Sequence, residues 1–211
     1  MKIEIWSDVV CPFCYIGKRR LEKAIGEMGL ENEVELIWKS FLLDPQAPAE
    51  TSGSSLEYLS RKKGWSMEQT LEMTDRVTGI AAEEGLVFNM QDTKHANTLQ
   101  AHRLIQLAKE KRLANEMEER LFKAYFTEGK NIGDLEVLKA LGAEVGIEES
   151  VLQHFLAEKD AFRDKVEADL YEGRQIGVTA VPFFVIDEKY AISGAQPTEL
   201  FMKALSDCQK V

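Results

Sequence analysis

The chain has 211 residues, of which 45% are hydrophobic and 29% are charged, and its formal net charge is −10. This composition is typical of a globular protein, and the negative charge argues against nucleic-acid binding. No apolar run approaches the roughly 20 residues that cross a bilayer, so we expect no membrane partner. The chain passes from Met1-Lys2 directly into a short apolar strand instead of a signal peptide, which predicts a cytoplasmic location.

Two cysteines separated by two residues, Cys11 and Cys14, follow the first predicted strand, at about residues 2–6. They stand at the start of a predicted helix, at about residues 12–28, in which Pro12 suits the first position. A helix N-terminus favours the thiolate of the first cysteine, and helical spacing places Cys14 on the buried face. We therefore predict thiol–disulfide exchange, with an exposed Cys11 as nucleophile and Cys14 as resolving thiol.

Two other uses of such a cysteine pair are a zinc site and a permanent structural disulfide. Zinc needs more ligands, and the chain offers only Cys208 and three histidines, none of them in a second close-spaced pair. We therefore expect no metal and no tightly bound organic cofactor. Cys208 falls on the apolar face of the last predicted helix, which predicts a packing role, with a third redox thiol as the alternative.

The middle of the chain is predicted to be helical. A second strand at about residues 34–40 completes a β-α-β unit, and residues 44–55 contain two prolines among small polar residues, which predicts a loop. Apolar residues then recur at helical spacing in several segments. We predict an all-helical domain over residues 44–159, inserted into a domain that residues 1–43 and 160–211 form.

A proline stands directly before the last predicted strands. Val181-Pro182 precedes an apolar segment, and proline does not belong in the middle of a ladder. A cis bond at the start of the strand fits this position, and an ordinary trans proline is the alternative. The segments Phe183–Ile186 and Tyr190–Ser193 predict a hairpin, and Pro197 is predicted to open a final helix.

Motifs at both ends of the chain resemble one protein family. Cys11-Pro12-Phe13-Cys14, Val181-Pro182 and Ser193–Pro197 resemble the DsbA-like branch of the thioredoxin superfamily, and within it the FrnE-type group. Trp6–Tyr15 and Asn97–Arg103 also look like that group. The resemblance implies an α/β thioredoxin fold in which Pro182 contacts both cysteines. It also implies that the Val181 backbone binds an extended substrate by strand addition.

Other residues are predicted to support the cysteine pair. Asp8 can tune the Cys11 thiolate or shuttle a proton, although an acid at a strand end is as often a turn or cap former. The resemblance suggests that Asn97, His102 and Arg103 lie on the helical domain facing the dithiol, where a cation would stabilise a thiolate. An exposed or hydrogen-bonded helical histidine is the alternative for His102.

These features predict a protein-disulfide oxidoreductase that acts on protein or peptide thiols and disulfides and exchanges electrons with small thiols such as glutathione. Oxidant, reductant and isomerase differ in reduction potential, which Pro12 and Phe13 constrain only loosely. Phe13 can also line a groove for apolar substrate segments. The same architecture occurs in glutathione-dependent 2-hydroxychromene-2-carboxylate isomerases and kappa-type glutathione transferases, which generally have serine where Cys11 stands. A holdase-like protein without redox chemistry is the third possibility.

Overall fold

The computed structural model describes residues 1–48 and 53–210. Residues 49–52 of the predicted loop lie outside the described residues, and a helix begins at Ser55. No helix in the described part is long and apolar enough to cross a membrane. The elements are β1 (Lys2–Ser7), α1 (Pro12–Glu27), β2 (Glu35–Ser40), α2 (Ser55–Lys63), α3 (Met67–Glu83), α4 (Leu99–Glu110), α5 (Ala114–Phe126), α6 (Leu135–Glu144), α7 (Glu149–Ala157), α8 (Arg163–Gln175), β3 (Phe183–Ile186), β4 (Tyr190–Ser193) and α9 (Thr198–Gln209), with a 3-10 turn at Met90–Asp92.

The strands of the described residues form one sheet in the order β2-β1-β3-β4. β1 and β2 are parallel, as the crossover through α1 requires, whereas β3 runs antiparallel to β1 and to β4. The register pairs Trp6, near the end of β1, with Phe183, the first residue of β3. The residues that follow β1 and those that precede β3 therefore meet at the same end of the sheet.

One face of the sheet packs against α1 and α9. Phe184 of β3 meets Phe201 of α9 edge to face, with ring centroids 4.9 Å apart. In α1, a Cβ atom on Gly17 would lie 3.0 Å from Pro182 Cγ and 3.1 Å from Phe184 Cζ. Glycine at this position lets α1 approach the segment that leads into β3.

The other face of β1 packs against α8. Trp6 is buried, and its indole Nε1 donates to the Asp169 carbonyl oxygen at 3.0 Å. A Cβ atom on Gly173 would lie 2.8 Å from the same indole nitrogen, so glycine is needed for this close approach. The carboxylate of Asp169 accepts from the Ser40 backbone N–H, which joins α8 to β2 as well.

The helices between β2 and α8 have local sequence signals at several of their first turns. Ser54 caps α2, a capping box of Ser66 and Gln69 begins α3, and Asp134 caps α6. These helices join α1 through an aromatic contact, since the rings of Tyr15 and Phe122 stack with centroids 4.8 Å apart. The chain therefore has a thioredoxin fold with inserted helices. The domain boundaries predicted at residues 43/44 and 159/160 stay predictions.

An ion pair cluster reinforces the contact between α1 and α5. The Tyr15 hydroxyl donates to Glu119 Oε1 at 2.6 Å, Lys18 Nζ lies 2.8 Å from Glu119 Oε2, and Arg19 bonds the same carboxylate. Burial alone would raise the pKa of Glu119, but Arg19 and Lys18 outweigh it and lower the pKa to about 2. Glu119 therefore stays charged in this contact at neutral pH.

Candidate active site

The two cysteines lie where the end of β1 meets the start of β3. Cys11 is the N-cap of α1, with extended backbone angles, and Pro12 occupies the first helical turn as predicted. The Cys11 thiol donates to the Val181 carbonyl oxygen, with an Sγ–O distance of 3.7 Å. The Val181–Pro182 peptide bond is cis. Residues 170 positions apart in the chain thus share one site.

Both cysteines are free thiols, and their backbones are linked, since Cys14 N–H donates to the Cys11 carbonyl oxygen at 3.1 Å. Cys14 is 1% exposed, in agreement with the predicted buried face of α1. The prediction of an exposed Cys11 is wrong, because this residue is only 5% exposed. The contact with the distant Val181 contributes to this burial, and local helical spacing could not reveal it.

The Cys14 thiol resists ionisation. Burial is the main reason that its pKa lies well above the usual value, and the neighbouring Cys11 sulfur raises it further. The Asp8 backbone and the Ser7 hydroxyl favour the thiolate of Cys14, but they do not offset burial. Cys14 is therefore a protonated thiol at neutral pH.

Asp8 is fully buried behind the cysteine pair. Its Oδ2 accepts from the Leu43 N–H at 2.7 Å, and its Oδ1 lies 3.3 Å from His102 Nε2. Its backbone carbonyl oxygen also accepts from Cys11 N–H at 2.9 Å, which is a turn-forming role of the kind expected as the alternative. Asp8 thus connects the turn before Cys11 to the segment after β2 and to α4.

His102 is 1% exposed and is hydrogen-bonded, so the exposed alternative does not hold for it. Burial lowers the pKa of His102, but the hydrogen bond and charge of Asp8, together with the charges of Glu118 and Asp169, outweigh burial and raise the pKa. The positive charge of His102 is thereby stabilised behind the dithiol.

Asn97 and Arg103 are held by other partners. Asn97 Nδ2 donates to the Ala47 carbonyl oxygen at 2.6 Å, and its Oδ1 accepts from the N–H of the first residue of α4. The Arg103 guanidinium donates to the carbonyl oxygens of Glu158 and Ala161, near the start of α8. Both side chains hold segments around α4, and the contacts of Arg103 point to α8 instead of the cysteine pair.

Phe13 is the exposed member of the motif. Its side chain is 42% exposed, whereas the aromatic residues Trp6, Tyr15 and Trp38 are buried. Leu43, whose N–H binds Asp8, is also exposed at 44%. Exposed apolar side chains therefore occur two residues after Cys11 and in the segment that hydrogen-bonds to Asp8.

Sequence reasoning missed two polar residues behind the dithiol, Ser7 and Glu118. Ser7 ends β1 and Glu118 lies on α5, and they are 0% and 1% exposed. The pKa of Glu118 is raised to about 7, chiefly by burial. A signal for Glu118 was present, because it precedes Leu121 and Phe122 by three and four residues and so falls on the apolar stripe of α5.

Comparisons with known proteins agree with this architecture. The protein of Bacillus subtilis (strain 168) named Uncharacterized protein YwbO is 32% identical over 209 residues, which are 99% of this chain and 97% of that protein. The crystal structure of probable DsbA oxidoreductase SCO1869 from Streptomyces coelicolor is similar with a TM-score of 0.94 and 37% identity, covering 100% of this chain and 90% of that one.

A more distant similarity concerns the fold alone. Cytosolic disulfide reductase DsbM from Pseudomonas aeruginosa, solved with GSH, is 18% identical with a TM-score of 0.71 over 100% of both chains.

The family match is the most direct finding, because residues 2–206 match the DSBA-like thioredoxin domain. A match over nearly the whole chain, together with the placement of the cysteine pair, shows that this chain belongs to the DsbA-like thioredoxin domain family.

Proposed function

We propose that the protein is a thiol–disulfide oxidoreductase that acts on disulfides and thiols of proteins or peptides. The observation that carries this proposal is the arrangement of three groups. Cys11 Sγ lies at the N-terminus of α1, 3.7 Å from the Val181 carbonyl oxygen, and Cys14 lies buried one helical turn further on. This arrangement places two buried thiols one helical turn apart, with the first beside a backbone carbonyl oxygen at which an extended chain could pair.

The reaction has two steps in the reducing direction. The Cys11 thiolate attacks one sulfur of a substrate disulfide, the substrate S–S bond breaks, and the other substrate sulfur leaves as a thiolate. Cys14 then gives up its proton and attacks Cys11, which releases the second substrate sulfur and leaves a Cys11–Cys14 disulfide. The substrate gains two electrons and the cysteine pair loses two. Oxidation of a substrate, and isomerisation of its disulfides, use the same steps in other orders.

Substrate recognition is proposed at the segment before β3. The Val181 carbonyl oxygen already accepts a hydrogen bond from Cys11, so an extended chain that pairs with this backbone would present its own sulfur beside Cys11. The exposed Phe13 adds an apolar contact next to the nucleophile. Val181, Pro182 and Phe13 are therefore the proposed substrate-binding residues.

Electrons are proposed to come from or go to small thiols such as glutathione, without a metal or bound organic cofactor. A cytoplasmic location and a place in the FrnE-type group belong to the same proposal. The glutathione-dependent isomerases and transferases stay the alternative class, and Cys11 in place of their usual serine favours redox exchange.

The proposal is tested by trapping a mixed disulfide. Cys14→Ser incubated with insulin should form an adduct linked through Cys11, because no resolving thiol can release it. Cys11→Ser should form little adduct, and Cys208→Ser should behave like the unmodified protein, which should reduce insulin when dithiothreitol is supplied. A Cys14→Ser protein that forms no adduct, with no insulin reduction by the unmodified protein, would favour the alternative class.

A further inference from the structure

We propose that Arg20 is a positioning residue that holds the substrate-binding segment in place, and that Glu84 of the inserted helices acts through it. This proposal rests on the proposed exchange reaction and concerns how an extended substrate binds beside Cys11. Arg20 lies on α1, and Glu84 is the C-cap of α3. The inserted helices would then contribute to substrate affinity without touching the substrate.

The Arg20 guanidinium joins α1 to α3 and to the segment that follows β4. Its Nε donates to Glu84 Oε1 at 2.6 Å, and its Nη1 donates to the Ala195 carbonyl oxygen at 2.7 Å. The side chains of Arg20 and Glu84 are 17% and 15% exposed, so this ion pair is largely shielded from solvent. A planar guanidinium suits this task, because its donors point in fixed directions and can hold two acceptors at once.

The segment that Arg20 binds in turn holds the substrate-binding segment. The Gly194 N–H donates to the Pro182 carbonyl oxygen at 2.8 Å, which adds one bond beyond the paired residues of β3 and β4. Ala195 also packs close to α1, since its Cα would lie 3.6 Å from a Cβ atom on Gly17. The position of Pro182 therefore depends on the two residues after β4, and their position depends on the bond to Arg20.

The other end of this series of contacts is the reacting thiol. Cys11 Sγ lies 3.7 Å from the carbonyl oxygen of Val181, the residue directly before Pro182. Pairing with an extended chain needs the Val181 backbone at a fixed place beside Cys11, because a hydrogen bond weakens steeply when its geometry departs from the optimum. Val181 and Ala195 are only partly buried, so core packing restrains their segments less than it restrains fully buried residues.

Arg20 provides the side-chain link between the segment after β4 and the helices. Within residues 1–48 and 53–210, no other side chain hydrogen-bonds the Ala195 carbonyl oxygen. The bonds of Gln196 stay inside the segment, since its backbone N–H donates to Gly194 and its side chain donates to the Ser193 carbonyl oxygen. Loss of Arg20 therefore removes the hydrogen bond that ties this segment to α1, and the link to α3 with it.

This role predicts an effect that depends on the type of disulfide. A fluorescence-quenched peptide disulfide can pair with the Val181 backbone, whereas bis(2-hydroxyethyl) disulfide has no peptide group to do so. Arg20→Ala should raise the KM for the peptide disulfide by about tenfold while kcat falls by less than about twofold, as expected for lost substrate binding. The rate with the small disulfide should not change. Dithiothreitol is the reductant in both assays, and rates without protein are subtracted.

Hydrogen exchange gives a second readout that does not depend on activity. The Gly194 amide donates to Pro182, and an amide exchanges faster when its hydrogen bond opens more often. In Arg20→Ala, exchange followed by NMR should be faster at Gly194 by about tenfold or more. It should be unchanged at Ile5, which is paired on both sides in β1. Equal acceleration at both amides would show a general loss of stability and would overturn the positioning role.

Further variants separate positioning from a merely structural role. Glu84→Ala should raise the KM for the peptide disulfide less than Arg20→Ala does, and Glu84→Gln should restore it toward the native value, since the amide oxygen still accepts from Arg20 Nε. The double variant of Arg20 and Glu84 should match Arg20→Ala, because Glu84 acts through Arg20. Arg120→Ala is the matched control, since that arginine is 15% exposed and pairs with Glu128 at 2.9 Å, and its KM should be native.

If Arg20→Ala does not fold, Arg20→Lys decides the question. An ammonium group on a shorter side chain keeps the charge without the fork of donors, so it should give the same difference between the two disulfides. A raised KM for the peptide disulfide alone, with faster exchange at Gly194 alone, supports the proposal.

An unchanged KM or unchanged Gly194 exchange in Arg20→Ala, or equal losses with both disulfides, overturns the positioning role while the exchange reaction stands. An unmodified protein that reduces neither disulfide overturns the exchange reaction and, with it, the role of Arg20 in substrate binding.

Discussion

The surroundings of the two sulfurs differ although both are buried. The Cys11 sulfur meets a backbone carbonyl oxygen at the start of β3, and its neighbour Phe13 is exposed. The Cys14 thiol is 1% exposed, and burial is the main reason that its pKa lies well above the usual value. The first environment suits backbone pairing with another chain, and the second keeps the Cys14 thiol protonated at neutral pH. The motif alone does not show how the two thiols differ, because their surroundings depend on elements far away in sequence.

Rates of alkylation test whether the surroundings of the two sulfurs differ. At pH 6, iodoacetamide should modify Cys11 on the order of tenfold faster, or more, than Cys14 or Cys208, because the thiolate is the reactive form. Burial raises the pKa of both Cys14 and Cys208, whereas Cys11 lies at a helix N-terminus, where an anion is stabilised. Mass spectrometry of digested samples measures the three rates, and equal rates would contradict the assignment of Cys11 as nucleophile.

The pH dependence of the stability of Glu118→Gln tests whether burial raises the pKa of Glu118. The raised pKa means that the folded state binds the Glu118 proton more tightly than the unfolded state does. The native protein should therefore lose stability as the pH rises from about 4.5 through about 7, and Glu118→Gln should avoid this loss. Relative to the difference at pH 4, the variant should gain about 3 kcal/mol in unfolding free energy over the native protein above pH 8.

Urea unfolding at a series of pH values measures this difference in the free energy of unfolding. Glu116→Gln, at an exposed position of the same helix, is the control and should show no such trend. A gain in stability above pH 7 in Glu118→Gln alone would show that the buried carboxylate lowers the stability of the native protein. A constant difference across the pH range would mean that the Glu118 carboxyl group is not strained by burial.

Gly17→Ala should perturb the Cys11 side without touching either cysteine. The added Cβ atom would lie 3.0 Å from Pro182 Cγ, so α1 and the segment before β3 must separate by a few tenths of an ångström. We expect a loss of about 1 kcal/mol in unfolding free energy and a lower rate of insulin reduction.

Gly26→Ala is a matched control in the same helix, since the nearest atom to its added Cβ lies 3.8 Å away. That variant should be neutral or slightly stabilising, because alanine favours a helix more than glycine does. If both variants have the same activity and stability, the close approach of α1 to Pro182 does not matter for the site.

The sequence predicted the elements that depend on local signals. The hairpin of β3 and β4 has the bounds predicted from its two segments and the polar residues between them, and Pro12 begins α1. The burial of Cys11 was predicted wrongly, because part of its cover comes from Val181, which is 170 residues away. Such contacts depend on the register between β1 and β3, which local periodicity does not encode.

The polar residues behind the dithiol show the same limit. Asp8 was singled out because of its distance in sequence from Cys11, but its contact with His102 depends on how α4 packs behind β1. Glu118 was missed, because the sequence shows that it falls on the apolar stripe of α5 but does not show which groups surround it. Asn97 and Arg103 share a sequence segment with His102, yet their side chains serve other contacts.

The contact of α5 with α1 limits how the inserted helices can be removed or exchanged. Glu119 binds Tyr15 and Lys18 of α1, and the preceding residue on α5 is Glu118. The helices between β2 and α8 are thus fastened to the helix that carries both the motif and its buried thiol. A shortened chain with these helices excised would leave the Tyr15 ring and the Lys18 ammonium group of α1 without these partners. The insertion cannot be exchanged between relatives as an accessory part, and a chimaera must transfer α1 and α5 together.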